Sequence, residues 1–126
     1  MYGHKKQIDA GFEETVSRTK EALKAEGFGI LTEIDVKATL KKKLDVEWDK
    51  YIILGACNPP FAYKALQAEK EIGLMLPCNV IVYEESGRVF VSAILPTQAM
   101  GMIDNPELKD IAVQVEEKLK KTIDNV

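Results

Sequence analysis

Two cysteine-asparagine pairs, Cys57-Asn58 and Cys78-Asn79, are the residues of this sequence best suited to chemistry. A cysteine at the start of a helix can act as a nucleophile, because backbone N–H groups and the helix dipole stabilise its thiolate. Cys57 stands between a predicted buried strand and a predicted helix, and Asn58 or nearby amides could orient a substrate. Cys57 is therefore the candidate catalytic residue of a thiol-dependent redox or transfer enzyme.

The same residues also fit a purely structural role, which the sequence favours. Pro59 and Pro60 remove two of the first-turn N–H donors that would hold an anion. The side-chain oxygen of Asn58 is then predicted to accept a hydrogen bond from the Phe61 N–H group and to cap the helix. A free cysteine commonly packs as a small apolar residue, so Cys57 is predicted to be structural more readily than reactive.

Chain geometry predicts that the two cysteines lie apart. A helix of about 13 residues between them would carry the chain back roughly 20 Å, which is about the length of the preceding strand. Residues 74–77 can retrace at most about 14 Å. This separation argues against a disulfide and against a shared zinc site, which needs three or four ligands in a chain whose one histidine is His4.

We therefore expect no metal site and no cofactor, and no glycine-rich phosphate loop follows a predicted strand. One metal hypothesis stays open, in which the thiols of two chains meet across a dimer.

Apolar residues at helical spacing predict four helices. The second is a short helix capped by Asp35, with Val36, Leu40 and Leu44 on one face. The last begins at Asn105-Pro106. The first and third helices are predicted at about residues 11–26 and 60–72. The apolar stripe of the last helix comprises Leu108, Ile111, Ala112, Val115, Leu119 and Ile123.

Strands are predicted where apolar residues alternate or form short runs. The run Tyr51–Leu54 is typical of a strand buried on both faces, so it should lie centrally in the sheet. Residues 79–84 and 88–95 should form a hairpin around Glu85-Ser86-Gly87. Further strands are expected within residues 2–9 and 28–35, and Pro96–Asp104, with Met100 and Met102, is predicted to be irregular.

This order of elements predicts a single α+β domain over residues 1–126, with a mixed, largely antiparallel sheet and helices packed on one face. The order is strand, helix, strand, short helix, strand, helix, two strands and a last helix. A content of 46% hydrophobic and 29% charged residues is ordinary for a globular protein.

Charge and hydropathy limit the classes of partner. The net charge of -3 gives no attraction to phosphate backbones, so we expect no nucleic-acid partner. No apolar run approaches the 18 or more residues of a membrane span, so we expect no membrane association. Two cysteines without a dense disulfide framework predict reduced thiols and a cytoplasmic location.

Three phrases, Gly27–Asp35, Gly55–Pro60 and Leu76–Asn79, resemble domain-of-unknown-function family number 302, and the resemblance covers nearly the whole chain. It implies a compact α+β domain that often forms dimers, with no assigned reaction. The sequence resembles the cysteine-bearing branch of that family. Another branch has the corresponding Gly-Asn-Pro and Leu-Pro segments but not the two cysteines. This implies that the thiols are not essential to any property that both branches share.

The favoured hypothesis is a small binding or assembly module that forms a homodimer and presents a pocket near Asn58 and the Met100–Met102 segment. Such a pocket would take a small-molecule ligand. The alternative is the thiol-dependent enzyme that uses Cys57. The candidate ligand-binding residues are Asn58, Pro59, Cys78, Asn79 and Met100.

Overall fold

A five-stranded antiparallel sheet forms the frame of the protein in a computed structural model that describes all residues, Met1–Val126. The strands are β1 Gly3–Ile8, β2 Gly29–Asp35, β3 Tyr51–Cys57, β4 Cys78–Glu85 and β5 Arg88–Ile94. The helices are α1 Phe12–Ala25, α2 Val36–Leu44, α3 Pro59–Ala68, a 3₁₀ helix Lys70–Met75, α4 Pro96–Ala99 and α5 Pro106–Asp124.

The strand order is β1-β5-β4-β3-β2, and all four pairings are antiparallel. The predicted α+β class is confirmed. β3 is an interior strand, paired with both β2 and β4, but the prediction that Tyr51–Leu54 is buried on both faces is wrong. Tyr51 and Ile53 are only partly buried, and they lie on the sheet face opposite the buried Leu54 and Ala56.

The hydrophobic core lies between the opposite sheet face and the helices α1 and α5. Val80, Val82 and Val91 of the central strands are fully buried on that face. The predicted apolar stripe of α5 is confirmed, because each of its six residues is buried. Asn105 caps α5 by accepting a hydrogen bond from the Leu108 N–H group at 3.2 Å, with Pro106 as the first helical residue.

The predicted hairpin is present as β4 and β5. Its turn places Ser86 and Gly87 at φ values of 52° and 78°, the left-handed backbone that a two-residue turn of this kind requires. The segment predicted to be irregular after Leu95 contains the four-residue helix α4.

Asp35 caps α2 as predicted, accepting a hydrogen bond from the Ala38 N–H group at 2.9 Å. The helix nevertheless has no buried residue. On its apolar face Val36 and Leu40 are partly buried, whereas Leu44 is exposed.

The single helix predicted over residues 60–72 is wrong. Helix α3 ends at Ala68, Glu69 is extended, and the chain continues in the 3₁₀ helix. A tertiary contact accompanies the break, because the Asn105 side chain donates a hydrogen bond to the Ala68 carbonyl oxygen at 2.8 Å. The break turns the chain so that β4 returns antiparallel beside β3.

None of the helices combines the length and the apolar character needed to cross a bilayer.

Candidate functional site

An apolar cavity of about 270 Å³ lies between the helix side of the sheet and the helices α3 and α5. Fifteen of its 18 lining residues are hydrophobic. Strands β3 and β4 contribute Ala56 and Cys78, and Ala65 and Ile111 line it from the two helices. No acidic, basic or histidine side chain lines the cavity, so its wall favours an apolar occupant over an ionic one.

Two exposed leucines mark the opening of the cavity. Leu66 on α3 is 43% exposed, and Leu31 on β2 is 65% exposed, although both line the cavity. Leu31 lies where the pairing of β2 with β3 shifts register between Ile30 and Thr32. Such a bulge redirects a side chain, and here the side chain of Leu31 is added to the cavity lining.

The structure brings the two cysteines together, so the prediction that they lie apart is wrong. Ala56 is paired with Cys78 across β3 and β4, and Cys57 is the next residue along β3. Both cysteines are free thiols and both line the cavity. The segment between them is not one uninterrupted helix: the break at Glu69 returns the chain to the end of the sheet from which it left.

The two thiols differ in exposure. Cys57 is half-buried, whereas Cys78 is only 8% exposed. Burial raises the pKa of the Cys78 thiol to about 11, and the nearby Cys57 adds to that rise. Cys78 is therefore a neutral thiol in the native protein at physiological pH.

Asn58 is buried but does not cap α3, so the predicted hydrogen bond to the Phe61 N–H group is wrong. Its side-chain nitrogen instead donates a hydrogen bond to the Glu26 carbonyl oxygen at 3.1 Å. That carbonyl belongs to the C-terminal end of α1, where the last carbonyl groups of a helix lack helical partners. Asn58 thus ties the end of α1 to the start of α3.

Of the predicted ligand-binding residues, three line the cavity: Asn58, Cys78 and Met100. Pro59 and Asn79 are exposed and do not line it. Cys57, the candidate catalytic residue, is part of the same wall.

The contribution of α5 to the cavity was not predicted from the sequence. Residues such as Ile111 and Val115 were predicted only as core, because an apolar stripe looks the same whether it meets a filled core or a cavity. The exposed leucines at the opening carried no pattern in the sequence that distinguished them from other surface leucines.

Metal-binding side chains of the common kinds do not converge in this structure. No group of three or more histidine, cysteine, aspartate or glutamate residues is close enough to hold a metal ion. His4 lies on β1, with its Nε2 atom 2.9 Å from the Asp124 carboxylate.

A second apolar patch lies on the outer face of the sheet, next to Lys5. Tyr51, Tyr83 and Phe90 form a stacked row across β3, β4 and β5, with ring centroids 5.5 Å and 5.3 Å apart. The register places Ile53 and Ile81 beside this row. All five side chains are only partly buried.

Comparison with known proteins gives a family and a structural relative but no activity. The family model described as domain of unknown function DUF302 matches residues 4–126. The crystal structure of an uncharacterized conserved protein DUF302 from Bacillus stearothermophilus is similar, with a TM-score of 0.93 and 34% sequence identity. The match covers 99% of this chain and 98% of that one. No curated protein matches the sequence.

Proposed function

Because this chain belongs to the DUF302 family of domains of unknown function, and the family supplies no reaction, we propose from its own geometry that it is a homodimeric binding module for a small apolar molecule. The observation that carries this proposal is the apolar cavity beside α3 and α5. The ligand would lie against the helix side of the sheet, among Ala65, Cys78 and Met100.

The size and chemistry of the cavity support a small ligand. Its volume of about 270 Å³ lies just below the range of roughly 300–1,000 Å³ that is usual for ligand pockets. Binding of an apolar ligand is favoured by about 25 cal/mol of free energy for each Å² of apolar surface removed from water. A polar ligand would lose hydrogen bonds to water that this wall does not replace. The exposed Leu31 and Leu66 extend the apolar surface to the opening.

The outer sheet face supports the homodimer. Five strands spaced about 4.8 Å apart and about seven residues long present a face of roughly 24 by 24 Å. Its area is of the same order as the ~800 Å² that each partner contributes to a stable interface. The aromatic row of Tyr51, Tyr83 and Phe90 would pack against the same row of a second copy, as a two-fold symmetric interface requires.

The two proposed surfaces are compatible with each other. The cavity lies on the helix side of the sheet and the aromatic row lies on the outer side. A dimer formed through the outer faces therefore leaves both cavities open to ligand.

The cavity proposal is tested with N-phenyl-1-naphthylamine, a neutral apolar dye whose fluorescence rises in apolar surroundings. We expect the wild-type protein to bind the dye and Leu66→Glu to weaken binding by about tenfold or more, because the charge lies at the opening. Leu74→Glu is the matched control, since Leu74 is 84% exposed and does not line the cavity.

Equal weakening by both variants would contradict the proposal, because it would show that the dye binds nonspecifically to surface leucines. Failure of the wild-type protein to bind any dye below about 1 mM would also contradict it. Circular dichroism of each variant excludes loss of the fold as the cause.

A second candidate is a thiol-dependent redox or transfer enzyme that uses Cys57. It is favoured by the half-buried position of Cys57 on the cavity wall at the start of α3. An activated thiol should react with iodoacetamide at pH 7 at least ~10-fold faster than glutathione does. A rate equal to or below that of glutathione would exclude this candidate.

We also propose that the protein works in the cytoplasm. Both of its cysteines are free, which fits a reducing compartment.

A further inference from the structure

Asn58 is the one lining residue of the apolar cavity whose side chain carries an amide, a hydroxyl or a charge. The other lining side chains are hydrocarbon, apart from the two thiols and the Met100 thioether, which form only weak hydrogen bonds. Asn58 is itself only 8% exposed. A ligand that forms a strong hydrogen bond with a side chain of this wall must therefore form it with Asn58.

The protein uses the two polar atoms of the Asn58 side chain differently. The Nδ2 atom donates a hydrogen bond to the Glu26 carbonyl oxygen at 3.1 Å. The Oδ1 atom accepts no hydrogen bond from the chain, because Asn58 does not cap α3. It is not sealed off either, since no fully buried side-chain nitrogen or oxygen of the protein lacks a partner. Asn58 therefore retains one free hydrogen-bond acceptor.

The orientation of this amide follows from its partner on α1. A reversed amide would bring Oδ1 against the Glu26 carbonyl oxygen, and two acceptors repel each other. Packing against Gly27 agrees with this orientation, because a Cβ atom added to Gly27 would lie 3.3 Å from Nδ2 and 4.0 Å from Oδ1. The contact with α1 thus occupies the nitrogen and leaves the oxygen available to an occupant of the cavity.

We propose that the ligand is an apolar molecule with a single hydroxyl group, an alcohol or a phenol, whose hydroxyl donates a hydrogen bond to Oδ1 of Asn58. A ketone, ether or carboxylate oxygen in that place would only set a second acceptor against Oδ1. Further polar groups on the ligand would be left unpaired against the apolar wall, which costs free energy. This ligand class deepens the proposed apolar-ligand function and rests on it.

The free acceptor gives the cavity a means of selecting its ligand. A hydrocarbon of the same shape would enclose Oδ1 without a partner, whereas a hydroxyl group supplies one. Sites that pair with a ligand hydroxyl reject the analogue without it more strongly than an apolar pocket rejects the loss of a methylene group. A hydroxyl should therefore raise affinity here, although the rest of the wall is apolar.

The test compares three ligands of nearly the same shape as competitors of N-phenyl-1-naphthylamine: 4-propylphenol, 4-propylanisole and 4-propyltoluene. The phenol donates and accepts hydrogen bonds, the anisole only accepts them, and the toluene does neither. We expect wild type to bind the phenol more tightly than either analogue, because only the phenol pairs with Oδ1. An anisole or a toluene that binds as tightly as the phenol would overturn the inference.

The matching change in the protein is Asn58→Leu, which replaces the amide by an apolar side chain of similar size. The preference for the phenol over the toluene should fall at least ~10-fold in this variant, because the acceptor is gone. Asn79→Leu is the control. Asn79 also follows a cysteine, but it is exposed and does not line the cavity, so the preference should be unchanged. A preference that survives in Asn58→Leu would contradict the assignment of Oδ1 as the acceptor.

A measurement on the wild-type protein does not depend on how Asn58→Leu folds. In ¹⁵N-labelled protein, 4-propylphenol should shift the side-chain amide signal of Asn58 in a saturable manner, because a hydrogen bond to Oδ1 polarises the amide. The shift caused by 4-propyltoluene should be much smaller. Equal shifts would overturn the hydroxyl assignment and leave the apolar-ligand proposal standing, since that proposal is decided separately by the binding of the dye itself.

Discussion

Ala56 and Cys78 face each other across the β3–β4 pair, and Cys57, the next residue along β3, lines the same cavity as Cys78. The two cysteine-asparagine pairs of the sequence therefore lie at the same end of the sheet. Their asparagines differ, because Asn58 is buried against the end of α1 whereas Asn79 is exposed. The lining of the apolar cavity therefore includes both cysteines.

The raised pKa of Cys78 predicts a pH dependence of protein stability. The native thiol keeps its proton up to about pH 11, whereas the unfolded thiol loses it near the ordinary value of 9.0. Between these values the unfolded state binds fewer protons, so the free energy of unfolding falls as the pH rises. The slope contributed by Cys78 approaches about 1.4 kcal/mol per pH unit.

Urea denaturation at several pH values between about 8 and 11 measures this dependence, with Cys78→Ala as the comparison. Wild type should lose stability with pH more steeply than Cys78→Ala, because other titrating groups act on both proteins equally. Parallel curves for the two proteins would show that the Cys78 thiol does not keep its proton on folding.

Replacing Gly27 should destabilise the protein. Gly27 has a φ of +87°, which is costly for a residue with a side chain, and an added Cβ atom would lie 3.3 Å from the Asn58 side-chain nitrogen. We expect Gly27→Ala to lower the free energy of unfolding by about 1–2 kcal/mol. Gly73→Ala should change it by less than about 0.5 kcal/mol, since nothing lies within 4 Å of the added atom. An equal loss in both variants would refute this account of Gly27.

A charge in the aromatic row should disrupt the proposed dimer. Tyr83 lies at the centre of the row, between Tyr51 and Phe90, so Tyr83→Glu would place a carboxylate in the apolar interface. Light scattering at micromolar concentration should give a dimer for wild type and a monomer for Tyr83→Glu. Tyr63→Glu is the control, because Tyr63 is 66% exposed on α3, away from the sheet face. A monomeric wild type, or equal dissociation of both variants, would count against the dimer.

The sequence was sufficient to predict those features of the fold that depend on residues close together in the chain. The Asp35 and Asn105 caps, the Ser86-Gly87 turn and the apolar stripe of α5 each follow from a few neighbouring residues, and the structure contains all of them. Apolar periodicity did not reveal the break after Ala68, because the hydrogen bond from Asn105 that accompanies it comes from a distant part of the chain.

The site could be predicted only in part for the same reason. Asn58, Cys78 and Met100 were selected by residue type, and the structure places them on one cavity. Their proximity depends on the return of the chain after Glu69, which periodicity did not show. The apolar run Tyr51–Leu54 predicted a strand buried on both faces, because the sequence alone does not show that Tyr51 and Ile53 lie on a partly exposed sheet face.

The most direct test of the account uses NMR of protein labelled with ¹³C at the methionine methyl groups. The chain has four methionines, and only Met100 lines the cavity, whereas Met1 and Met102 are exposed. Addition of N-phenyl-1-naphthylamine should shift the Met100 signal in a saturable manner, because an aromatic ring in the cavity changes its local field, and should leave the Met1 and Met102 signals in place. A Met100 signal that stays unchanged while the dye binds, or shifts confined to Met1 and Met102, would contradict the claim that this cavity is the binding site.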